Sequence, residues 1–171
     1  VLFRSVNYNG NRGIDYYLDN IRFIGNTVCG GYYTFHLKSI SGYTGNFDKI
    51  EGMVIDSNII CDGRYYGVHA EGEGKFKSFS HNYVYKIDST NSFIALYSTR
   101  TKQWGIVNGN RIHVYSKANC VGLHFEGDQT TNSDDTLIIS NNEIILSDSN
   151  SKKCISVSST GPVVIVHNSV F

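Results

Sequence analysis

Two stretches of the chain carry imidazole and carboxylate groups in the same order: Tyr66-Gly67-Val68-His69-Ala70-Glu71-Gly72 and Val121-Gly122-Leu123-His124-Phe125-Glu126-Gly127. Both read Gly, apolar, His, apolar, Glu, Gly. Alternation with period two makes each a strand that buries one face and sets its His and Glu side by side on the other. Carboxylates and imidazoles on one face are the groups that move protons in general acid–base catalysis. If the two strands lie two turns apart in a stack with a spacing of about 4.8 Å, the Glu71 and Glu126 backbones stand roughly 9.6 Å apart. An inverting glycosidase needs its carboxyl groups about 6.5 to 9.5 Å apart to admit a water, whereas a retaining pair sits near 5 Å. The spacing admits inversion and excludes retention. The competing chemistry is β-elimination, which needs a cation to neutralise a substrate carboxylate, a base and an acid. Lys38, His69, Tyr97, Arg64 and Arg100 are the candidates for those roles, with Glu71 and Glu126 as Ca²⁺ ligands in that case.

The elements that position these groups are set by a repeat. An Asn follows each short apolar run, at Asn26, Asn58, Asn82, Asn110, Asn142 and Asn168, in steps of 32, 24, 28, 32 and 26 residues. Variable spacing around a fixed local pattern indicates a solenoid whose loops vary while its strands keep register. Three positions before each Asn stand Phe23, Ile55, Phe79, Val107, Ile139 and Ile165, and two positions after it Val28, Ile60, Val84, Ile112, Ile144 and Val170. These are two expected inward columns. The Asn residues between them suit a tight bend, because Asn tolerates the left-handed backbone region, and they are expected to stack as a ladder of amides.

The second recurring strand carries the ionisable motif. Its copies align as Ile14-Asp15-Tyr16-Tyr17, Phe35-His36-Leu37-Lys38, Val68-His69-Ala70-Glu71, Ile94-Ala95-Leu96-Tyr97, Leu123-His124-Phe125-Glu126 and Ile155-Ser156-Val157-Ser158. This alignment gives two outward columns. One runs Asp15, His36, His69, Ala95, His124, Ser156; the other runs Tyr17, Lys38, Glu71, Tyr97, Glu126, Ser158. Ionisable and aromatic residues fill the middle turns, and the last turn offers only Ser156 and Ser158. A longer echo, Cys29-Gly30-Gly31-Tyr32-Tyr33 against Cys61-Asp62-Gly63-Arg64-Tyr65-Tyr66, stacks Cys29 on Cys61, as two buried thiols or, where the spacing of parallel strands admits it, as a disulfide.

Composition bounds the rest. The chain has 171 residues, 40% of them hydrophobic, with 17 Gly, one Pro, 12 Tyr and a formal net charge of zero. Balanced charge, with scattered Lys and Arg, provides no footprint for nucleic acid. The most apolar runs, Leu137-Ile138-Ile139 and Val163-Val164-Ile165-Val166, are far too short to span a membrane. Cys29, Cys61, Cys120 and Cys154 include no CxxC pair and no metal-finger spacing; buried free thiols are expected over a disulfide framework, and no residue is assigned as a structural metal ligand. The Asp128 to Asp135 segment lacks the Gly and terminal Glu of an EF-hand and reads as a solvated turn. Val1-Leu2-Phe3-Arg4-Ser5 reads as the translation of a sequencing adapter end, so residues 1–5 are expected to be a cloning or assembly scar ahead of a single domain at 6–171.

The Gly-apolar-x-apolar strand followed by an apolar strand ending in Asn resembles the right-handed parallel β-helix of the pectate-lyase-like superfamily, over residues 13 to 170. The resemblance implies an all-β, right-handed parallel β-helix solenoid of about six coils, in keeping with the crossover rule for parallel strands. The polygalacturonase pattern is absent: Asp134-Asp135 falls in a loop, and Arg111-Ile112-His113 lacks the terminal Lys. With no capping helix before Gly13 and no polar cap after Val170, a fragment without its end caps is expected.

The superfamily includes polysaccharide lyases, glycoside hydrolases, sugar epimerases, phage tailspike depolymerases and inert adhesion scaffolds, and fold alone does not choose among them. By this resemblance the substrate is a polysaccharide lying along the outward columns. Glu71, Glu126, Tyr97, His69, His124 and Lys38 are then the candidate catalytic residues, and Asp15, Tyr17, His36, Arg64, Tyr66 and Arg100 the candidate substrate-binding residues. Ca²⁺ is expected only for a lyase, and the implied location is extracellular, at a cell surface or on a virion. Two alternatives stand beside the enzyme: a non-catalytic carbohydrate-binding or adhesion β-helix, and a spacer of a homotrimeric phage fibre whose outer face is buried between chains.

Overall fold

Short runs of alternating apolar residues, rich in β-branched and aromatic side chains and broken by Asn, Gly and Ser, fold as strands. A computed structural model describes residues 17–38, 49–72, 74–101, 103–127, 136–148, 150–158 and 161–171. The expected scar at residues 1–5, Asp15 and the turn at 128–135 lie outside the described residues. In chain order the strands are β1 (Tyr17–Asp19), β2 (Arg22–Ile24), β3 (Thr27–Cys29) and β4 (Tyr33–Lys38); then β5 (Lys49–Asp56), β6 (Ile59–Cys61) and β7 (Tyr66–Glu71). The next are β8 (Lys75–Ser80), β9 (Tyr83–Ser89) and β10 (Phe93–Thr99), followed by β11 (Gln103–Asn108), β12 (Arg111–Ser116) and β13 (Cys120–Glu126). The chain continues with β14 (Leu137–Ser140), β15 (Glu143–Ser147) and β16 (Lys152–Ser158), and ends on β17 (Val163–Val166) and β18 (Ser169–Val170).

Every pairing among the described strands is parallel, and the strands form three sheets. The first runs β1-β5-β8-β11-β14-β17 with β2 also on β5, the second β3-β6-β9-β12-β15-β18, and the third β4-β7-β10-β13-β16. The protein is an all-β parallel solenoid. It has about four full turns, β5 to β16, rather than the six expected. Before them the chain places only three-residue strands in the first two sheets, and after them it adds β17 and β18 without a strand in the third sheet.

Both inward columns form as the spacing predicts. Phe23, Ile55, Phe79, Val107, Ile139 and Ile165 are successive register partners, as are Val28, Ile60, Val84, Ile112, Ile144 and Val170. Their middle members are fully buried in one continuous core, and Ile165 and Val170 on the last rungs are exposed.

Between these columns the six Asn residues stack. Each Nδ2 donates to the Oδ1 of the next Asn, from Asn26 to Asn168, at 2.9–3.1 Å. That same Oδ1 accepts the backbone N–H of the preceding Asn. From Asn58 onward each Nδ2 also donates to the carbonyl of the inward residue one turn earlier, for example Asn110 to Phe79 at 2.8 Å. An Asn supplies two donors and an acceptor, so both amide hydrogens and the oxygen are satisfied without water. The left-handed bend falls one residue earlier than expected, at Gly25, Ser57, His81, Gly109, Asn141 and His167, with φ between 53° and 67°. With the bend taken there, the Asn side chain turns inward to meet its neighbour.

The cysteines correct a second expectation. Cys29 and Cys61 are register partners on β3 and β6 with Cα atoms 4.4 Å apart and are joined as a disulfide, whereas Cys120 and Cys154 are free. In-register stacking on parallel strands brings the first pair within bonding reach.

Candidate functional site

The outer face of the third sheet carries the ionisable motif, and its register fixes which groups meet. His36 pairs with His69, His69 with Tyr97, Tyr97 with His124, and His124 with Ser156. The neighbouring column runs Lys38, Glu71, Thr99, Glu126, Ser158. Tyr97 therefore stands among the imidazoles and not between the two glutamates, and Ala95 is an inward residue. The alignment of Ile94-Ala95-Leu96-Tyr97 slips by two because these strands bury two consecutive positions. Gly67-Val68, Ala95-Leu96 and Gly122-Leu123 are all inside. The first of each pair must be small: a Cβ on Gly67 would lie 2.6 Å from the Ala95 carbonyl oxygen, and one on Gly122 2.5 Å from that of Cys154. In register, the third copy of the motif is Ala95-Leu96-Tyr97-Ser98-Thr99-Arg100. Arg100 takes the left-handed conformation (φ 58°) that Gly72 and Gly127 take in the other copies.

With Tyr97 in this column, the rings form a ladder. His36 and His69 stack at 5.2 Å between centroids with planes 7° apart, His69 and Tyr97 at 5.0 Å and 10°, and Tyr97 and His124 meet at 5.1 Å. Tyr66 widens the platform, stacking on both His69 and Tyr97. Tyr33, which sequence reasoning did not include, stacks on His36 at 4.5 Å and on Tyr66 at 5.2 Å. Its signal was present in the echo that aligns Tyr32-Tyr33 with Tyr65-Tyr66. Tyr32 and Tyr65 also meet, at 4.7 Å, and the Arg64 guanidinium lies over the Tyr65 ring.

The polar groups are interlocked. Glu71 Oε1 accepts from Lys38 Nζ at 2.7 Å and meets His36 Nε2 at 3.1 Å, and its Oε2 lies 4.0 Å from His69 Nε2. Partial burial alone would raise the Glu71 carboxyl, but hydrogen bonds from Lys38 and His36 outweigh it and hold the group below its ordinary range. Burial pushes the His69 imidazole down, against the upward pull of Glu71. His69 is only 7% exposed, and neither of its ring nitrogens has a hydrogen-bond partner; His124 Nδ1 is likewise buried and unpartnered. Tyr97 donates its O–H to Glu126 Oε2 at 2.8 Å, and burial, then this bond, pushes the phenol up, so it stays protonated as a donor.

The structure thus brings together His36, Lys38, Tyr66, His69, Glu71, Tyr97, His124 and Glu126. Thr99 separates the two glutamates, which remain two turns apart. Arg64 and Arg100 lie at opposite ends of the strands, before β7 and after β10, both exposed. Tyr17 is not brought to the face: it pairs with Lys49 in the first sheet. A second cluster on the outer face of the second sheet escaped sequence reasoning, where His113 Nε2 lies 2.7 Å and Arg111 Nε 3.2 Å from Glu143 Oε1. Its signal was present in the repeat, since Arg111 and Glu143 each follow a ladder Asn, with His113 two positions beyond Arg111. Comparison with protein-family models, with curated proteins and with solved structures returns no match.

Proposed function

We propose that the outer face of the third sheet binds a polysaccharide, laid across successive turns, and that Glu71 and Glu126 are its candidate catalytic pair. The observation that carries the reading is the continuous ring ladder from His36 to His124, widened by Tyr33 and Tyr66 and flanked by charged groups. The rings lie face to face along the stack, so they turn outward a row of ring edges, with the Tyr97 hydroxyl and the exposed His36, Lys38 and Glu126 as hydrogen-bonding groups for the hydroxyls of a sugar chain. The finer family reading, a member of the pectate-lyase-like superfamily acting outside the cell or on a virion, rests on the Asn-ended strand pattern and belongs to the same proposal.

In an inverting hydrolysis Glu71, held ionised by Lys38 and His36, suits the base that activates water. Glu126 then takes the acid's place at the leaving oxygen by position alone, since the hydrogen bond it accepts from the Tyr97 hydroxyl favours its carboxylate form. Elimination fits less well, since Lys38, its cation, is already paired with Glu71. That ion pair also favours the second reading, a non-catalytic binding surface.

A panel of uronate and neutral polysaccharides, assayed for unsaturated products and for reducing ends, separates these chemistries. The enzyme reading expects Glu71→Gln with Glu126→Gln to abolish turnover while binding persists. Binding with no turnover on any polymer leaves the surface and removes the chemistry, and no binding at all overturns the proposal.

A further inference from the structure

We propose that His36, His69 and Glu71 form a binding site for a divalent transition-metal ion of the zinc class, argued from its own observations although it shares Glu71 with the sugar reading. One ligand atom from each residue lies within 4.8 Å of the others. Two imidazoles and a carboxylate are the donor set of three-ligand zinc sites, which keep further positions open for water. Soft thiolates are not involved, so the hard–intermediate donors suit Zn²⁺, Co²⁺ or Ni²⁺ over Cu⁺.

The second observation is the state of His69. It is more than nine-tenths buried, its Nε2 points toward Glu71 Oε2 from 4.0 Å, and neither ring nitrogen has a hydrogen-bond partner. An unpaired buried polar atom is costly, and a metal bond to Nε2 removes one of the two. Sheet register explains why the donors converge. His36 and His69 are direct partners on β4 and β7, and Glu71 follows His69 by two on the same face.

Closure asks the His36 ring to tilt out of its stack on His69, because rings 7° apart hold their lone pairs in parallel planes that do not meet at one ion. Tetrahedral ligands about 2.1 Å from zinc lie about 3.4 Å from one another, so a pair up to 4.8 Å apart must draw in by about 1.4 Å. His69 is clamped between Tyr66 and Tyr97. The His36 side chain is 37% exposed and turns about a soft torsion, so it supplies the movement. Lys38 keeps a place on Glu71 Oε1 as a hydrogen-bonding partner outside the coordination sphere.

The test uses the 171-residue chain and the metal ion alone. Calorimetric titration with Zn²⁺, and Co²⁺ followed by its visible d–d absorption, should show one site. His36→Ala and Glu71→Gln, both at partly exposed positions that leave the core intact, should each weaken it at least tenfold, a loss of about 1.4 kcal/mol. His113→Ala, which alters the other His–Glu cluster, should leave it unchanged. Absence of binding by the wild-type chain overturns the proposal. Binding that survives both variants, or that His113→Ala removes, also overturns it. Loss of sugar binding bears on the preceding reading and leaves this one standing.

Discussion

Replacing Asn110 with Ala probes what holds the turns in register. Its side chain is fully buried and makes four hydrogen bonds. Its Oδ1 accepts from the Asn82 backbone N–H at 2.9 Å and from Asn82 Nδ2 at 3.1 Å, and its Nδ2 donates to the Phe79 carbonyl at 2.8 Å and to Asn142 Oδ1 at 2.9 Å. At about 0.5–1.5 kcal/mol net per bond, the loss is roughly 4 kcal/mol, and the buried Asn82 N–H is left without its partner. Asn26→Ala is the internal comparison. That amide is half-buried and donates only to Asn58 Oδ1 and to the Ile24 carbonyl, where water can substitute, so a cost of about 1 kcal/mol is expected. Urea denaturation followed by circular dichroism, with the slope shared between variants, measures both. If Asn110→Ala costs no more than Asn26→Ala, the ladder is an incidental consequence of the turn and not a source of its stability.

Four further outcomes follow from the same geometry. Because burial depresses the His69 pKa below 6.5, the unfolded chain binds the extra proton first, so stability falls as pH drops below about 6.5; His69→Phe should flatten that part of the urea-midpoint profile between pH 8 and 5, and an unchanged slope would assign the loss elsewhere. The depressed Glu71 carboxyl adds a second loss below pH 4.5, absent in Glu71→Gln. Gly122→Val should cost about 2 kcal/mol by overpacking, since its Cβ would lie 2.5 Å from the Cys154 carbonyl oxygen and 2.7 Å from Ile144 Cγ2; a neutral melting temperature would show that the turn can spread. Arg100→Gly should raise stability by about 0.5–1 kcal/mol, the relief of a left-handed arginine less the entropy of glycine, and a lowered melting temperature would mean that the arginine side chain carries a stabilising contact.

The sequence discloses the columns that repeat by residue type and hides those that depend on register alone. Asn58, Asn82, Asn110 and Asn142 were legible because each is bracketed by apolar residues at fixed offsets, and a ladder needs the same side chain in every turn. His36, His69 and His124 were placed in one column for the same reason. Tyr97 was misplaced because β10 substitutes every polar position of the motif, and the apolar Ile94 and Leu96 mimic a strict alternation that the two buried positions Ala95 and Leu96 interrupt. The small residue before the outer column, Gly67, Ala95 or Gly122, is the marker that restores the register. Tyr17 was drawn into the wrong sheet because a three-residue strand carries too short a pattern to declare its face. The Arg111–His113–Glu143 cluster was legible in principle, because Arg111 and Glu143 hold the same place after Asn110 and Asn142, but it lies on the second sheet and outside the His-Glu motif.

The central claim, that the ring ladder is a polysaccharide-binding surface, is tested most directly at Tyr97, the ring in its middle. Affinity electrophoresis or calorimetry against the polysaccharide panel should show binding by the wild-type chain. Tyr97→Ala should weaken it about tenfold or more, with an unchanged far-ultraviolet spectrum, since it removes a hydroxyl and the ring that holds the stack in line, together on the order of 1–2 kcal/mol. Binding of a polymer with undiminished affinity by Tyr97→Ala would contradict the account and move the surface off the third sheet.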